Sequence, residues 1–110
     1  MSKINIEFTL FSAFYSPLIS TMNGGFLKEE GLDFEFTISA PGVSAITALD
    51  NGSADVIQST LSQGFNALNK GEIPSCVHFA QINEMDGFLL TGRDADPEFK
   101  WNKLEGAEVL

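Results

Sequence analysis

Gly25-Phe26-Leu27-Lys28-Glu29-Glu30-Gly31-Leu32-Asp33-Phe34-Glu35-Phe36 decides the fold. An apolar helix face ends in this stretch, Gly31 turns the chain, and an alternating strand begins. Upstream, Leu18, Ile19, Met22, Phe26 and Leu27 fall on one helical face. Ser16 as N-cap with Pro17 at the first helical position predicts where that helix starts. Asn23-Gly24-Gly25 weakens it, so a bend or restart is expected near Gly25. Gly31 suits the left-handed backbone that closes many helices. Downstream, Leu32, Phe34, Phe36 and Ile38 recur at period two, the signature of a strand with one apolar face.

The same reading extends in both directions. Ile4, Ile6, Phe8 and Leu10 alternate with Asn5, Glu7 and Thr9, predicting a first strand. After the second strand, Ala40-Pro41-Gly42 turns the chain into a helix carrying Val43, Ile46 and Leu49, which Asn51-Gly52 ends. Residues 54–58 read as a short third strand. Leu61, Phe65 and Leu68 mark a third helix, with Ser59, Thr60 or Ser62 as its cap and Gly71 as its close. Pro74 precedes an expected fourth strand that runs through Ala80, a fifth is expected over 88–91, and the start of another at Val109-Leu110. Residues 94–98 read as a solvated loop. Strands alternating with helices predict an α/β fold, a mostly parallel sheet flanked by helices, formed by 1–110 as a single domain. The first two strands alternate rather than being apolar throughout. One face of each is therefore expected to be wet, to lie at a sheet edge, or to meet something beyond this chain.

Composition narrows the function. The 110 residues suit one modest domain. Six basic residues against fifteen acidic ones give a net charge of −9, and the basic ones are scattered. That argues against nucleic-acid binding and against attraction to an anionic membrane. Cys76 is the single cysteine, so no intrachain disulfide forms, and its apolar surroundings suggest a small core residue. No apolar run approaches the length of a membrane-spanning helix. The N-terminal residues lack the apolar core of a signal peptide, so the chain as written would stay in the cytoplasm.

Motifs for chemistry are sparse. His78 is the single histidine and falls in a predicted strand, with no second histidine or cysteine pair to complete a metal site. Asp94, Asp96 and Glu98 lack the glycine and distal glutamate of a calcium loop. Glu84 and Asp86 are close in sequence, with nothing to face them toward a common substrate. No phosphate loop, dinucleotide fingerprint or nucleophile elbow is present, so no cofactor is expected.

Ligands of open α/β sheets bind beyond the carboxyl ends of the strands. That rule selects Ser12, Phe14 and Tyr15 after the first strand, Pro41 and Gly42 after the second, Ser59 and Thr60 after the third, and Gln81 and Asn83 after the fourth. Aromatic faces, hydroxyls and amides together form a palette for orienting a small molecule. Each has a plainer role open to it: Phe14 and Tyr15 as plugs between helix and sheet, Ser59 and Thr60 as caps, Gln81 and Asn83 as loop polar groups.

The opening stretch also resembles a family pattern, an apolar helix running into Gly-Phe-Phe-x-x-Glu-Gly-Leu and then a strand. Three further segments occur in that family's order: Ala48 to Val56 around Asn51-Gly52 and Ala54-Asp55, then Asn69 to Pro74, then Leu104-Glu105-Gly106-Ala107. The family is that of the SsuA/THI5-like solute-binding proteins of ABC transporters, the nitrate, sulfonate, taurine and thiamine-precursor class. The resemblance implies a type II periplasmic-binding-protein fold, in which two α/β lobes close on a small organic or anionic solute and deliver it to a transporter permease. This chain would supply most of the first lobe, the second being absent, with a periplasmic location. The aromatic loop after the first strand and the polar ends of the third and fourth would line the cleft. An alternative on the same fold is an enzyme making a pyrimidine precursor of thiamine. That activity relies on a cysteine cluster and a histidine, and one Cys76 and one His78 disfavour it. A third reading is a truncated domain that self-associates into a homo-oligomer through its incomplete sheet.

Overall fold

The chain's computed structural model describes residues 2–84 and 89–108. Three strands form one parallel sheet: β1 (Ser2–Phe8), β2 (Leu32–Ile38) and β3 (Val56–Gln58), in the order β2-β1-β3. Four short helices accompany them: α1 (Ser16–Asn23), α2 (Phe26–Glu29), α3 (Ile46–Asp50) and α4 (Phe65–Asn69). The α/β class with a parallel, helix-flanked sheet is therefore as the sequence predicts, and it is consistent with part of a binding-protein lobe.

Alternation in β1 and β2 has a direct structural cause. Ile4, Ile6 and Phe8 stand opposite Phe34, Phe36 and Ile38, and Ile6 and Phe8 also stand opposite Val56 and Gln58. Paired residues of parallel strands share a face, so these side chains form one apolar surface. Helices α1 and α2 cover it: Ile6, Phe8 and Met22 are buried together, with Ile4, Tyr15, Leu18, Ile19, Leu27, Phe34 and Val56 packed around them. Phe8 is wholly buried.

The opposite face is polar because its residues bond to one another. Asn5 N–H donates to Asp55 Oδ2 at 2.8 Å, and Asp55 N–H donates back to Asn5 O at 2.9 Å. Glu7 accepts from the Thr37 hydroxyl at 3.2 Å and the Ser39 hydroxyl at 2.5 Å. Lys3 pairs with Glu35 at 2.6 Å in an exposed position, where such a pair adds little. β1 is thus the central strand, and its polar face is a network across the sheet rather than an edge.

The decisive junction folds as its glycines require. Gly25 has φ 85° and separates α1 from α2, and Gly31 has φ 75° and releases the chain into β2. A side chain at Gly24 would meet the Phe26 ring at 2.6 Å and Ser20 O at 2.7 Å, so the bend also needs a residue without Cβ there. The start of α1 differs from expectation. Ala13–Tyr15 forms a 3-10 turn that runs straight into the helix, so Tyr15 holds the N-cap position and Ser16 is already helical. The Ser16 hydroxyl bonds back to Ala13 O instead of capping the helix. The helix after Pro41-Gly42 begins later than Val43, at Ile46, because residues 40–43 close a turn in which Val43 N–H donates to Ala40 O.

The predicted fourth strand does not form: residues 75–80 have no strand pairing. β3 is three residues long and offers too short an edge to template a neighbour, and strand formation depends on a partner more than on local propensity. His78 accordingly lies exposed on an irregular segment, beside Gly64, and Cys76 is half-buried rather than in the core. Residues 89–91 of the predicted fifth strand are likewise irregular, while Phe88, Asp86 and Val109-Leu110 lie outside the described residues. The radius of gyration is 18.4 Å, against roughly 13 Å for a compact chain of this length. Among the described residues, those beyond α4 make no strand pairing, and one 3-10 turn, Trp101–Leu104, forms there. No helix of the described residues is long and apolar enough to cross a membrane.

Candidate functional site

The chain leaves β1 toward one side to make β2, then crosses back over β1 to make β3. The connection out of β1 runs toward β2, the chain leaving β3 starts on the other side of β1, and ligands of open α/β sheets bind beyond the carboxyl ends of the strands. Here Gln58 O accepts two bonds from Thr9, from its N–H at 3.2 Å and from its hydroxyl at 2.8 Å. On the other flank, Ser39 N–H donates to Phe8 O at 2.9 Å. The loops that follow all three strands therefore start from one hydrogen-bonded rim.

The loop after β1 carries the aromatic element. Ser12 is half-buried and extended, and its carbonyl accepts from Tyr15 N–H at 3.0 Å, closing the 3-10 turn. That turn sets the Phe14 and Tyr15 rings edge to face with centroids 5.2 Å apart. Tyr15 packs against the buried cluster, while Phe14 remains exposed. Tyr15 thus has a packing role as expected of a plug, whereas the Phe14 ring stays open to solvent.

Segment 81–83 reaches this loop without the strand that was expected to place it. Asn83 Nδ2 donates to Phe14 O at 3.0 Å, and Gln81 Nε2 donates to Asn83 O at 3.0 Å. These side chains fold the segment over the start of α1. Ser59 and Thr60 lie just beyond β3. Thr60 holds the N-cap position of the next turn but makes no capping bond; its hydroxyl pairs with that of Ser62 at 2.7 Å. Ser59 Oγ donates to Thr60 O at 3.4 Å. Pro41 and Gly42 occupy the two central positions of an exposed turn, with Gly42 at φ 78°. That turn connects to the loop after β3 through Ser44, whose hydroxyl donates to Gln63 Oε1 at 2.6 Å. The structure therefore brings together the Ser12–Tyr15 loop and segment 81–83, and separately links the loops after β2 and β3.

Gln58 is the residue that sequence reasoning passed over. It ends β3 on the apolar face, opposite Phe8, and is 4% exposed. Its Oε1 is buried and has no hydrogen-bond partner. The available signal was a lone amide at the position where Val56-Ile57 should have continued with an apolar residue.

Two concavities lie away from this rim. One of about 400 Å³ lies between α3 and α4 and is lined by Ser44, Thr47, Asp50, Gln63 and Lys70, among others. The second, about 830 Å³, is formed within the C-terminal segment by Leu90, Arg93, Phe99, Trp101 and their neighbours. Neither includes any of the predicted site residues. Among the described residues no group of three or more His, Cys, Asp or Glu is placed to hold a metal ion.

Comparison with known proteins gives one informative match. Over all 110 residues the chain is 28% identical to "Putative binding protein YtlA" of Bacillus subtilis (strain 168). The chain spans 33% of that relative's length. No family model matches the chain, and no solved structure matches it.

Proposed function

We propose that the chain is the first-lobe portion of a solute-binding protein that captures a small molecule without altering it. The observation that carries this reading is the parallel β2-β1-β3 sheet, in which the loops after β1 and β3 start side by side where Thr9 bonds to Gln58 O. Similarity along the whole chain to a protein named for binding supports it. In this reading Phe14 and Tyr15 supply stacking faces, and Ser12, Ser59, Thr60, Gln81 and Asn83 supply hydrogen bonds. Pro41 and Gly42 form the outer margin. The second half of the cleft would come from another lobe, and the captured solute would pass to a transporter permease at the outer face of a membrane. Of the solutes the family resemblance implies, an organic one fits the rim better than a bare anion. None of the site residues is Lys or Arg, and the chain's net charge is −9.

The experiment is native mass spectrometry of the expressed protein to recover a co-purified solute, followed by calorimetry with that solute. Tyr15→Ala should weaken binding by about tenfold, the loss of one well-placed aromatic contact. An unchanged dissociation constant removes the rim as the site.

A second copy of the chain is the partner we propose for the apolar side chains outside the sheet. Ile73, Val77 and Phe79 are 94%, 84% and 76% exposed, on the segment that follows the short β3 edge.

A further inference from the structure

We infer that Gln58 is a ligand-contacting residue of this site, its Oε1 accepting a hydrogen bond from an N–H or ammonium group of the solute. The inference rests on the binding reading above and names the chemistry that the rim selects.

Three observations carry it. First, Gln58 Oε1 is a buried acceptor with no partner, on a side chain 4% exposed. Native proteins pair nearly all such groups, because an unmet buried acceptor forfeits its bonds to water and gains nothing in return. Second, the residue ends β3 beside β1, at the carboxyl end of the sheet. Its register with Phe8 puts its side chain on the face that α1 covers, at the strand end from which the Ser59-Thr60 loop departs. Third, the backbone of Gln58 is pinned by two bonds from Thr9, so the side chain is held at the rim by a fixed main chain.

The surroundings strengthen the acceptor. Phe8 is its lateral neighbour, and Phe11 packs edge-on against Phe8 at 5.2 Å and stacks on Phe36 at 5.3 Å. A buried amide oxygen is poorly screened, so a bond to it is worth more than one made in water. An acceptor cannot bind another acceptor. Oε1 itself therefore takes a protonated or neutral nitrogen donor and not a carboxylate or sulfonate oxygen. The net charge of −9 works in the same direction.

The test uses two probes with the same aromatic body, benzylamine and benzoate, followed by NMR titration of the whole chain. Benzylamine should shift the Gln58 side-chain amide signals, and benzoate should leave them in place. Gln58→Met should weaken benzylamine binding by about fivefold to tenfold. In the free protein it should also raise the melting temperature by several degrees, because an unmet polar group has been replaced by an apolar one. A lower melting temperature, or failure of Gln58→Met to fold, shows the amide to be structurally partnered and overturns the inference. Equal shifts with benzoate overturn it as well. If Tyr15→Ala weakens benzylamine binding and Gln58→Met does not, the rim remains the binding site and the role of Gln58 falls. If neither variant changes binding, both fall.

Discussion

Phe8 shows how one residue couples the fold to the site. It is wholly buried, it pairs laterally with Ile38 and Gln58, and its carbonyl holds Ser39 at the base of the loop after β2. Phe8→Ala should destabilise the protein by about 3–5 kcal/mol, through lost transfer energy and the cavity left behind. Denaturant unfolding followed by circular dichroism measures this. By contrast Phe14, 44% exposed, should lose under about 1 kcal/mol on truncation. Phe8 could be read from the sequence because period-two alternation singles out buried positions. Gln58 could not, because the same alternation assigns an apolar residue to its place. Its orphaned oxygen becomes visible only when the strand register is known.

Elements were legible where local pattern and tertiary partner agree. β1, β2 and the α1–α2 bend at Gly25 follow from alternation and glycine placement alone. Pro74 to Ala80 has the apolar content of a strand but not the partner, since β3 presents only Val56–Gln58. Gln81 and Asn83 were assigned to the site through that strand, yet it is the Asn83 side chain that reaches the Phe14 loop, while Gln81 bonds to Asn83 O. Their inclusion thus has a different physical basis from the one the sequence suggested. At this scale the Asn5–Asp55 pair fixes the β1–β3 register from the polar face. Asp55→Ala should cost about 1 kcal/mol, the net value of a hydrogen bond to an exposed acceptor. Amide hydrogen exchange should show faster exchange at Asn5 and along Val56–Gln58, with β1–β2 pairing intact. Equal exchange throughout β3 would mean that the apolar face alone sets the register.

The whole molecule is a small sheet with a long C-terminal segment beside it. Apolar side chains on that segment are open: Ile73, Val77, Phe79, Leu89 and Trp101 are each at least 75% exposed. Exposed apolar surface of this extent favours association. Sedimentation equilibrium at micromolar concentration should therefore give a mass above the 11.9 kDa of one chain. Val77→Asp with Phe79→Asp should return it to monomer, and a wild-type monomer would remove the second copy as the partner. The proposed site belongs to this scale, because it draws on the loops after β1 and β3 together rather than on any one loop. Its most direct test is amide chemical-shift mapping with the solute recovered from the purified protein. Shifts should cluster at Ser12–Tyr15, at Gln58 to Thr60 and at Gln81 to Asn83. Shifts confined to the α3–α4 concavity around Thr47 and Lys70, or to Phe99 and Trp101, would contradict a site at the carboxyl ends of β1 and β3.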